Sequence, residues 1–340
     1  MSAGWRQWQE ALSCPVCRHG LQTESHEEDN CGLVRGCHYC SRCGRRYPVE
    51  GGVHNFFAKT APREGQGGEM WRAEEFANLL PESGLYRTHA EWLEKKLGYS
   101  PLVAAAVSEY EAQATKRLLL DLILAKQPQS LVDLGCGVGY LTFELLSASV
   151  KKMRVACVDV LPEHVRYVRL RQVEERNDSI LPVLGDAERL PFADGSVEAL
   201  MGSEVMEHVP DPAACAREIM RVLTPGGLVV LSTPNRQPYE AYNRTRLFLR
   251  RLLRRPLGPG EDFFDNPLRH EDLVNIFAAA GFKIEKVRFG IKVPMSKRFF
   301  MYLPRSLAKA LLLALERFLP GRWFGVSVLL ACRKDGGASY

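Results

Sequence analysis

The chain has 340 residues, enough for about two domains at roughly 100–200 residues each. With 46% hydrophobic and 25% charged residues it is too apolar to be wholly disordered, and no run approaches the ~18 consecutive apolar residues of a membrane span. The net charge of +5 hides an asymmetry. From Arg236 to Tyr340, 20 Lys and Arg face 9 Asp and Glu, a net +11, which leaves −6 for the residues before them. Cysteine is uneven as well, with six of the ten at or before Cys43.

The first predicted element, over residues 1–57, is a small metal-binding module. Cys14-Pro-Val-Cys17 and Cys40-Ser-Arg-Cys43 are two Cys-x-x-Cys pairs about twenty residues apart, the spacing of a tetrahedral zinc site in which each knuckle presents two thiolates. The competing reading is a disulfide framework. Met1–Gln9 carries two Trp rather than a signal-peptide core, so a reducing, cytoplasmic compartment is expected and metal is favoured over disulfide. Cys14, Cys17, Cys40 and Cys43 are the candidate ligands, and zinc closed by four thiolates is structural rather than catalytic. Cys37 also forms a Cys-x-x-Cys with Cys40, so the second knuckle can shift; otherwise Cys31 and Cys37 are free thiols. The run Leu12-Ser-Cys-Pro-Val-Cys17, with Cys40-Ser-Arg-Cys-Gly-Arg-Arg-Tyr-Pro-Val-Glu-Gly-Gly-Val53, resembles the small zinc-ribbon family that activates tRNA and protein methyltransferases as a separate subunit. Similar ribbons occur fused to bacterial methyltransferases.

Residues 58–115 read as a Gly- and Pro-rich linker followed by helices. Trp92, Leu93 and Leu97, and later Leu118, Leu119 and Leu122, fall at helical spacing. These helices are expected to pack on the next domain, and part of the segment to cap its ligand pocket.

From residue 116 to 340 the pattern alternates strand and helix. Ser130–Leu134 is a short apolar strand, Gly135-Cys-Gly-Val-Gly139 a glycine turn, and a helix runs on to about Ala148. Val155–Asp159 is a second strand ending in an acid, placed for a bidentate grip on ribose hydroxyls. Tyr140 stands where a dinucleotide turn has its third glycine, and Asp133 just before the turn would repel a phosphate but welcome an ammonium group. Ile180–Leu184 is a third strand, followed by Asp186 and Ala187, where the acid can meet an adenine amino group. Val197–Met201 is a fourth strand, Asp211–Leu223 a helix and Thr224–Ser232 a turn into a fifth strand. Phe282–Phe289 and Trp323–Cys332 complete it as an antiparallel hairpin. The expected fold is α/β, a doubly wound parallel sheet binding its ligand at the carboxyl ends of the strands.

From Leu131 to Asn235 the ordered motifs resemble the class I S-adenosylmethionine-dependent methyltransferases, and within them the ubiquinone- and menaquinone-biosynthesis enzymes. The resemblance implies a Rossmann-like seven-stranded methyltransferase sheet. It also implies S-adenosylmethionine contacts from Asp133, Gly135, Gly137, Asp159, Asp186 and Ala187.

Methyl transfer from a sulfonium needs alignment of acceptor, methyl carbon and sulfur, and removal of the acceptor's proton. The candidates follow the fourth strand. Glu204, Glu207 and His208 stand at i, i+3 and i+4 and would share one face of a helical turn. Three readings stay open: a structural histidine with glutamates hydrogen-bonding nearby, His208 as general base, or all three on a Mg²⁺ ion that acidifies a hydroxyl or a vicinal diol. The Glu-x-x-Glu-His order resembles that of polyprenyl-catechol O-methyltransferases and small-RNA ribose methyltransferases, which implies a divalent metal with further ligands such as Asp262 or His270. After the fourth strand the chain reads Gly202-Ser-Glu-Val205, not the Asn/Asp-Pro-Pro-aromatic motif of base-amine methylation.

Two insertions, 236–267 and 290–322, leave from the carboxyl edge and are expected to form a substrate lid. Arg244, Arg246, Arg250, Arg251, Arg254 and Arg255 alternate with Leu247, Phe248, Leu249, Leu252 and Leu253, giving a basic and an apolar arc with Leu247 out of place. Arg305, Lys309, Glu316 and Arg317 lie opposite Leu307, Leu311, Leu315, Phe318 and Leu319 on a helical wheel. Such faces suit peripheral contact with a membrane interface, packing on the sheet around an apolar acceptor tunnel, or RNA contact. The expected function is O-methylation of a small or lipid-linked acceptor. The alternatives are an RNA methyltransferase using ribbon and arginines to hold the backbone, and a non-catalytic partner protein of the same fold.

Overall fold

The computed structural model describes residues 4–57, 116–235, 268–290 and 327–336, with Leu307, Phe318 and Gly325 besides. The expected helical cap over 58–115, the insertion over 236–267 and most of that over 290–322 lie outside the described residues.

Among the described residues eleven strands, numbered along the chain, form one sheet in the order β1-β2-β3-β4-β7-β6-β5-β8-β9-β11-β10. Its middle is parallel: β5 (Ser130–Leu134), β6 (Arg154–Asp159), β7 (Ile180–Leu184), β8 (Val197–Ser203) and β9 (Leu223–Pro234). Every residue of β5 and β7 is buried, which is why these segments read as unbroken apolar runs rather than alternating ones. Helices α1 (Arg117–Lys126), α2 (Tyr140–Ala148), α3 (Pro162–Glu174), α4 (Pro212–Val222) and α5 (His270–Ala279) accompany them. The pair β10 (Phe282–Gly290) and β11 (Ser327–Lys334) closes one end, with β11 antiparallel to β9. Asp211 caps α4, its Oδ1 accepting the amides of Ala213 and Ala214 at 3.0 and 2.9 Å, the use a helix makes of an acid at that position.

At the other end the amino-terminal residues add four strands to the sheet, beyond the seven expected. The amino-terminal strands β1 (Gln22–Asp29), β2 (Gly32–Tyr39), β3 (Arg46–Glu50) and β4 (Val53–Asn55) form an antiparallel meander whose last member pairs parallel with β7. The Phe56 amide extends that ladder to the Leu184 carbonyl at 2.9 Å. The strands could not have been assigned to one sheet from the sequence, because β4 has three residues and no alternating pattern of its own.

Side chains fasten the same seam. Arg169 of α3, 6% exposed, reaches Asp29 at the end of β1 at 2.5 Å and Gln172 at 2.9 Å. Gln172 in turn donates to the Cys31 carbonyl at 3.0 Å and to Ile180 at 2.7 Å. Gly52 makes room for this contact: at φ +80° a Cβ would overlap the Arg169 guanidinium. Trp8, at the end of a short 3₁₀ turn (Gly4–Trp8), lies 5.5 Å from Phe192, with the Arg154 guanidinium 5.1 Å above its ring.

Within the module His38 and His54 are almost fully buried and hydrogen-bonded ring to ring at 2.8 Å, while Thr23 meets the other His38 nitrogen at 2.8 Å. Burial lowers the His38 pKa to about 4. Burial, with the charges of His38 and Arg169, holds His54 well below its ordinary value. Both histidines are therefore neutral in the fold and protonate in the unfolded chain near 6.5. Stability is fully present above 6.5 and is lost as pH falls from 6.5 towards 4, by about 3 kcal/mol from His38 alone. Thermal unfolding followed by circular dichroism should show this fall, and a His38→Leu, His54→Leu double variant should show a shallower one over the same interval.

Candidate active site

The cofactor candidates gather along the carboxyl edge of three neighbouring strands, β5, β6 and β7. After β5 the chain enters Gly135-Cys-Gly-Val-Gly139, whose glycines take φ of +64°, +54° and +79°. At Gly135 a Cβ would lie 2.7 Å from Cγ2 of Val205, so the loop after β8 can close on the turn only over a glycine. Gly137 has open space where its Cβ would be, a cradle in which a ligand can approach the backbone.

Asp133 lies under this turn with 1% exposure, accepting the Thr142 hydroxyl at 2.6 Å. Burial pushes its pKa up to about 7; the Thr142 bond opposes the rise and the Asp159 charge adds to it. A carboxyl group in this state favours a cationic ligand, which would stabilise its anion. Asp159, the last residue of β6, accepts the Gly137 amide on Oδ2 and the Leu161 amide on Oδ1, both at 2.9 Å. His164 Nδ1 stands 3.2 Å from the same Oδ2. Burial works against the Asp159 anion, but His164 and the two amides outweigh it and hold the pKa below the ordinary carboxylate value. Asp186 is half-buried and accepts the Glu188 amide at 2.9 Å, with Ala187 buried beside it. The Gly185 amide bonds the Asp159 carbonyl at 3.0 Å, tying this loop to the previous one.

The residues after β8 depart from expectation. Glu204 has φ +57° and lies outside the 3₁₀ turn Met206–His208, so the i, i+3, i+4 spacing is not realised on one helical face. The Glu204 amide instead bonds the Ser232 carbonyl at 2.8 Å. Glu207 is fully buried and accepts the Thr233 hydroxyl at 2.9 Å, with its other oxygen 4.0 Å from His208 Nε2. The His208 side chain is 28% exposed. His270 begins α5 and pairs with Glu271 at 2.9 Å. Among the described residues, the one group of three or more such side chains with ligand atoms all within 4.8 Å of one another is Cys14, Cys17, Cys40 and Cys43. The Glu204–Glu207–His208 trio is thus not gathered for a Mg²⁺ ion.

The four cysteines lie 3.6 Å (Cys14 to Cys43) and 3.4 Å (Cys17 to Cys40) apart, Sγ to Sγ. Four sulfurs at about 2.3 Å from a tetrahedral ion would stand about 3.8 Å from each other. Tyr47, fully buried, places its hydroxyl 3.1 Å from Cys14 Sγ, and the Arg45 amide brings the Cys43 thiol down to about 6. Cys37 is outside the group and donates to the His38 carbonyl at 3.3 Å. The buried Cys31 faces the Gln172 carbonyl at 3.6 Å.

Thr142, His164, Val205 and Thr233 are contributors that the sequence motifs do not single out. Each is an ordinary residue for its helix, loop or strand, and only the fold reveals what it touches. A separate cavity of about 500 Å³ opens at the amino-terminal end of the sheet, beside Leu122, Lys126, Leu228 and Arg333, and holds none of these groups.

Three acids on successive strands above a glycine turn can receive a ligand that carries hydroxyls, an amine and a positive charge. A family model described as a methyltransferase domain matches residues 132–231, the stretch that carries these groups. The ubiquinone biosynthesis O-methyltransferase of Xanthomonas oryzae pv. oryzae (strain PXO99A) is 38% identical over 109 residues, 32% of this chain and 44% of that protein. The enzyme of the same description from Xanthomonas axonopodis pv. citri (strain 306) is 30% identical over 169 residues, 49% of this chain and 68% of its own. The solved complex between the Haloferax volcanii Trm112 methyltransferase activator and a methyltransferase superposes with a TM-score of 0.47 at 21% identity, over 70% of this chain and 97% of that one. The chain belongs to the S-adenosylmethionine-dependent methyltransferases. It spans less than half the length of the first curated relatives it matches.

Proposed function

We propose that this protein transfers a methyl group from S-adenosylmethionine to a hydroxyl of a small or lipid-linked acceptor. The observation that carries the reading is the Gly137 amide bonded to Asp159 beside the buried Asp133, which sets a glycine cradle between an acid suited to hydroxyls and one suited to a cation. Asp133, Gly135, Gly137, Asp159, Asp186 and Ala187 would hold the cofactor, whose sulfonium supplies an electrophilic methyl carbon. The relatives' description as O-methyltransferases of ubiquinone biosynthesis supports oxygen as the acceptor atom. His208, half-exposed at the mouth of the β8 loop, is the candidate general base, with Glu207 orienting it. Glu204 forms the left-handed corner that presents the turn.

Leu307 and Phe318, both helical, are 53% and 77% exposed. Exposed apolar side chains among basic ones favour peripheral contact with a lipid surface. Among the described residues no helix is long and apolar enough to cross a membrane. We also assign zinc to Cys14, Cys17, Cys40 and Cys43, as a closed structural site.

Calorimetric titration tests the central claim. S-adenosylmethionine should bind, and binding should draw a proton from Asp133, so affinity should rise as pH goes from 6 to 8 and then level off. Heats measured in buffers of different ionisation enthalpy should show the released proton; a flat titration overturns the reading. His208→Ala should lower kcat by about 10²-fold and leave cofactor affinity unchanged, as read by single-turnover assay and titration. Elemental analysis should find about one zinc per chain. Its removal by chelation should lower the thermal midpoint, because the ribbon carrying it covers the edge of β7.

A further inference from the structure

Asp133 and Thr142 stand on either side of the glycine turn and meet beneath it. Thr142 lies in the first turn of α2 and is wholly buried. Its hydroxyl donates to Asp133 Oδ2 at 2.6 Å, the one hydrogen bond to that carboxyl group among the described residues. Behind the pair, Cys157 Sγ of β6 lies 3.4 Å from the Thr142 oxygen. A hydroxyl has one hydrogen to give. With that hydrogen committed to Asp133, the Cys157 contact is a thiol donating to the Thr142 oxygen. The three side chains thus form a directed row that ends on the carboxyl group. A buried carboxylate is costly unless a donor meets it, and Thr142 is that donor.

We propose that Thr142 is a positioning residue that sets the specificity of the cofactor site: its hydroxyl holds Asp133 as the carboxylate that a cationic amino group needs, so the site distinguishes ligands with an ammonium from those without one. The inference rests on the reading of Asp133 as a cofactor ligand. The groups that face Asp133 from the neighbouring elements work against its anion or leave it alone. Asp159, at the end of β6, is held ionised by His164 and two amides and disfavours a second negative charge. Burial keeps Cys136, in the turn, a neutral thiol. The Thr142 bond opposes both burial and the Asp159 charge. Thr142 acts through Asp133 and takes no part in methyl transfer.

Two probes give a test that packing alone would not pass. S-adenosylhomocysteine carries a nucleoside and an ammonium group, whereas methylthioadenosine carries the same nucleoside and lacks the amino acid. Each is titrated by calorimetry into the full-length chain, with ligand-free thermal unfolding to check the fold of each variant. Thr142→Val keeps the side-chain shape and loses the hydroxyl, and Thr142→Ala serves as a second variant of the same kind. In both, S-adenosylhomocysteine should bind about tenfold more weakly at about pH 6, about fivefold at about pH 7 and within about twofold at about pH 8.5. Methylthioadenosine should bind as it does to the unaltered chain at every pH. Both probes share the ribose, so any change at Asp159 or His164 cancels in the ratio of their affinities. Thr142→Ser, which retains a hydroxyl, should stay within about twofold of the unaltered chain for both probes. In an Asp133→Asn background, Thr142→Val should have no further effect. An unaltered ratio in Thr142→Val and Thr142→Ala overturns the proposal, as does a loss shared equally by both probes or one that persists undiminished at the highest pH. If Asp133→Asn itself leaves the ratio unaltered, the reading of Asp133 falls first, and this role with it.

Discussion

The architecture depends on the pairing of β4 with β7. β7 reads Ile-Leu-Pro-Val-Leu and is buried along its whole length. A parallel strand of this kind at the end of a sheet would offer bare backbone and apolar side chains to any passing chain. Here the amino-terminal module supplies the missing neighbour. Two residue pairs and the Phe56 amide close the ladder, and Arg169 and Gln172 lock the contact from the helix that crosses over it. The four thiols lie just before β1 and in the turn between β2 and β3, so the two cysteine knuckles are anchored by the meander that covers this edge.

Moving the edge outward changes what faces solvent. The new terminal strand, β1, is mostly exposed and rich in acids, and its register slips on either side of Glu27. Each of those acids is matched by an arginine of the same chain: Glu24 with Arg46, Glu27 with Arg35, Glu28 with Arg6 and Asp29 with Arg169. At the far end β10 carries Lys283, Lys286 and Arg288. A charged, irregular strand is a poor template for further pairing. The sheet thus ends in one such strand on each side, and its apolar parallel strands stay inside.

The two halves of the molecule were not equally legible in the sequence. The glycine turn, the acids at the ends of β5 and β6, and the paired Cys-x-x-Cys knuckles announce themselves, because positive φ, strand-end carboxylates and thiolate pairs each demand particular residue types at fixed spacing. The order Glu204, Glu207, His208 misled for the opposite reason. Helical spacing implies a shared face only where the backbone is helical, and Glu204 occupies a left-handed corner that the tight approach of Val205 to Gly135 favours. The β4 to β7 junction was invisible, since a three-residue strand acquires its identity from its partner. So was the part played by Arg169, whose burial depends on Gly52 more than a hundred residues earlier.

The site shows the same division between backbone and side chain. The Gly137 amide, the Leu161 amide and the Gly185 amide all converge on Asp159, so three loops are registered against one residue by main-chain atoms that no substitution removes. What varies around that fixed centre is the electrostatics. Asp159 is held ionised by His164 and two amides, while burial and the nearby Asp159 charge let Asp133 keep its proton up to about 7 against the opposing Thr142 bond. Two neighbouring carboxyl groups thus sit in opposite states around one glycine turn, one already charged and one whose anion a cation would stabilise.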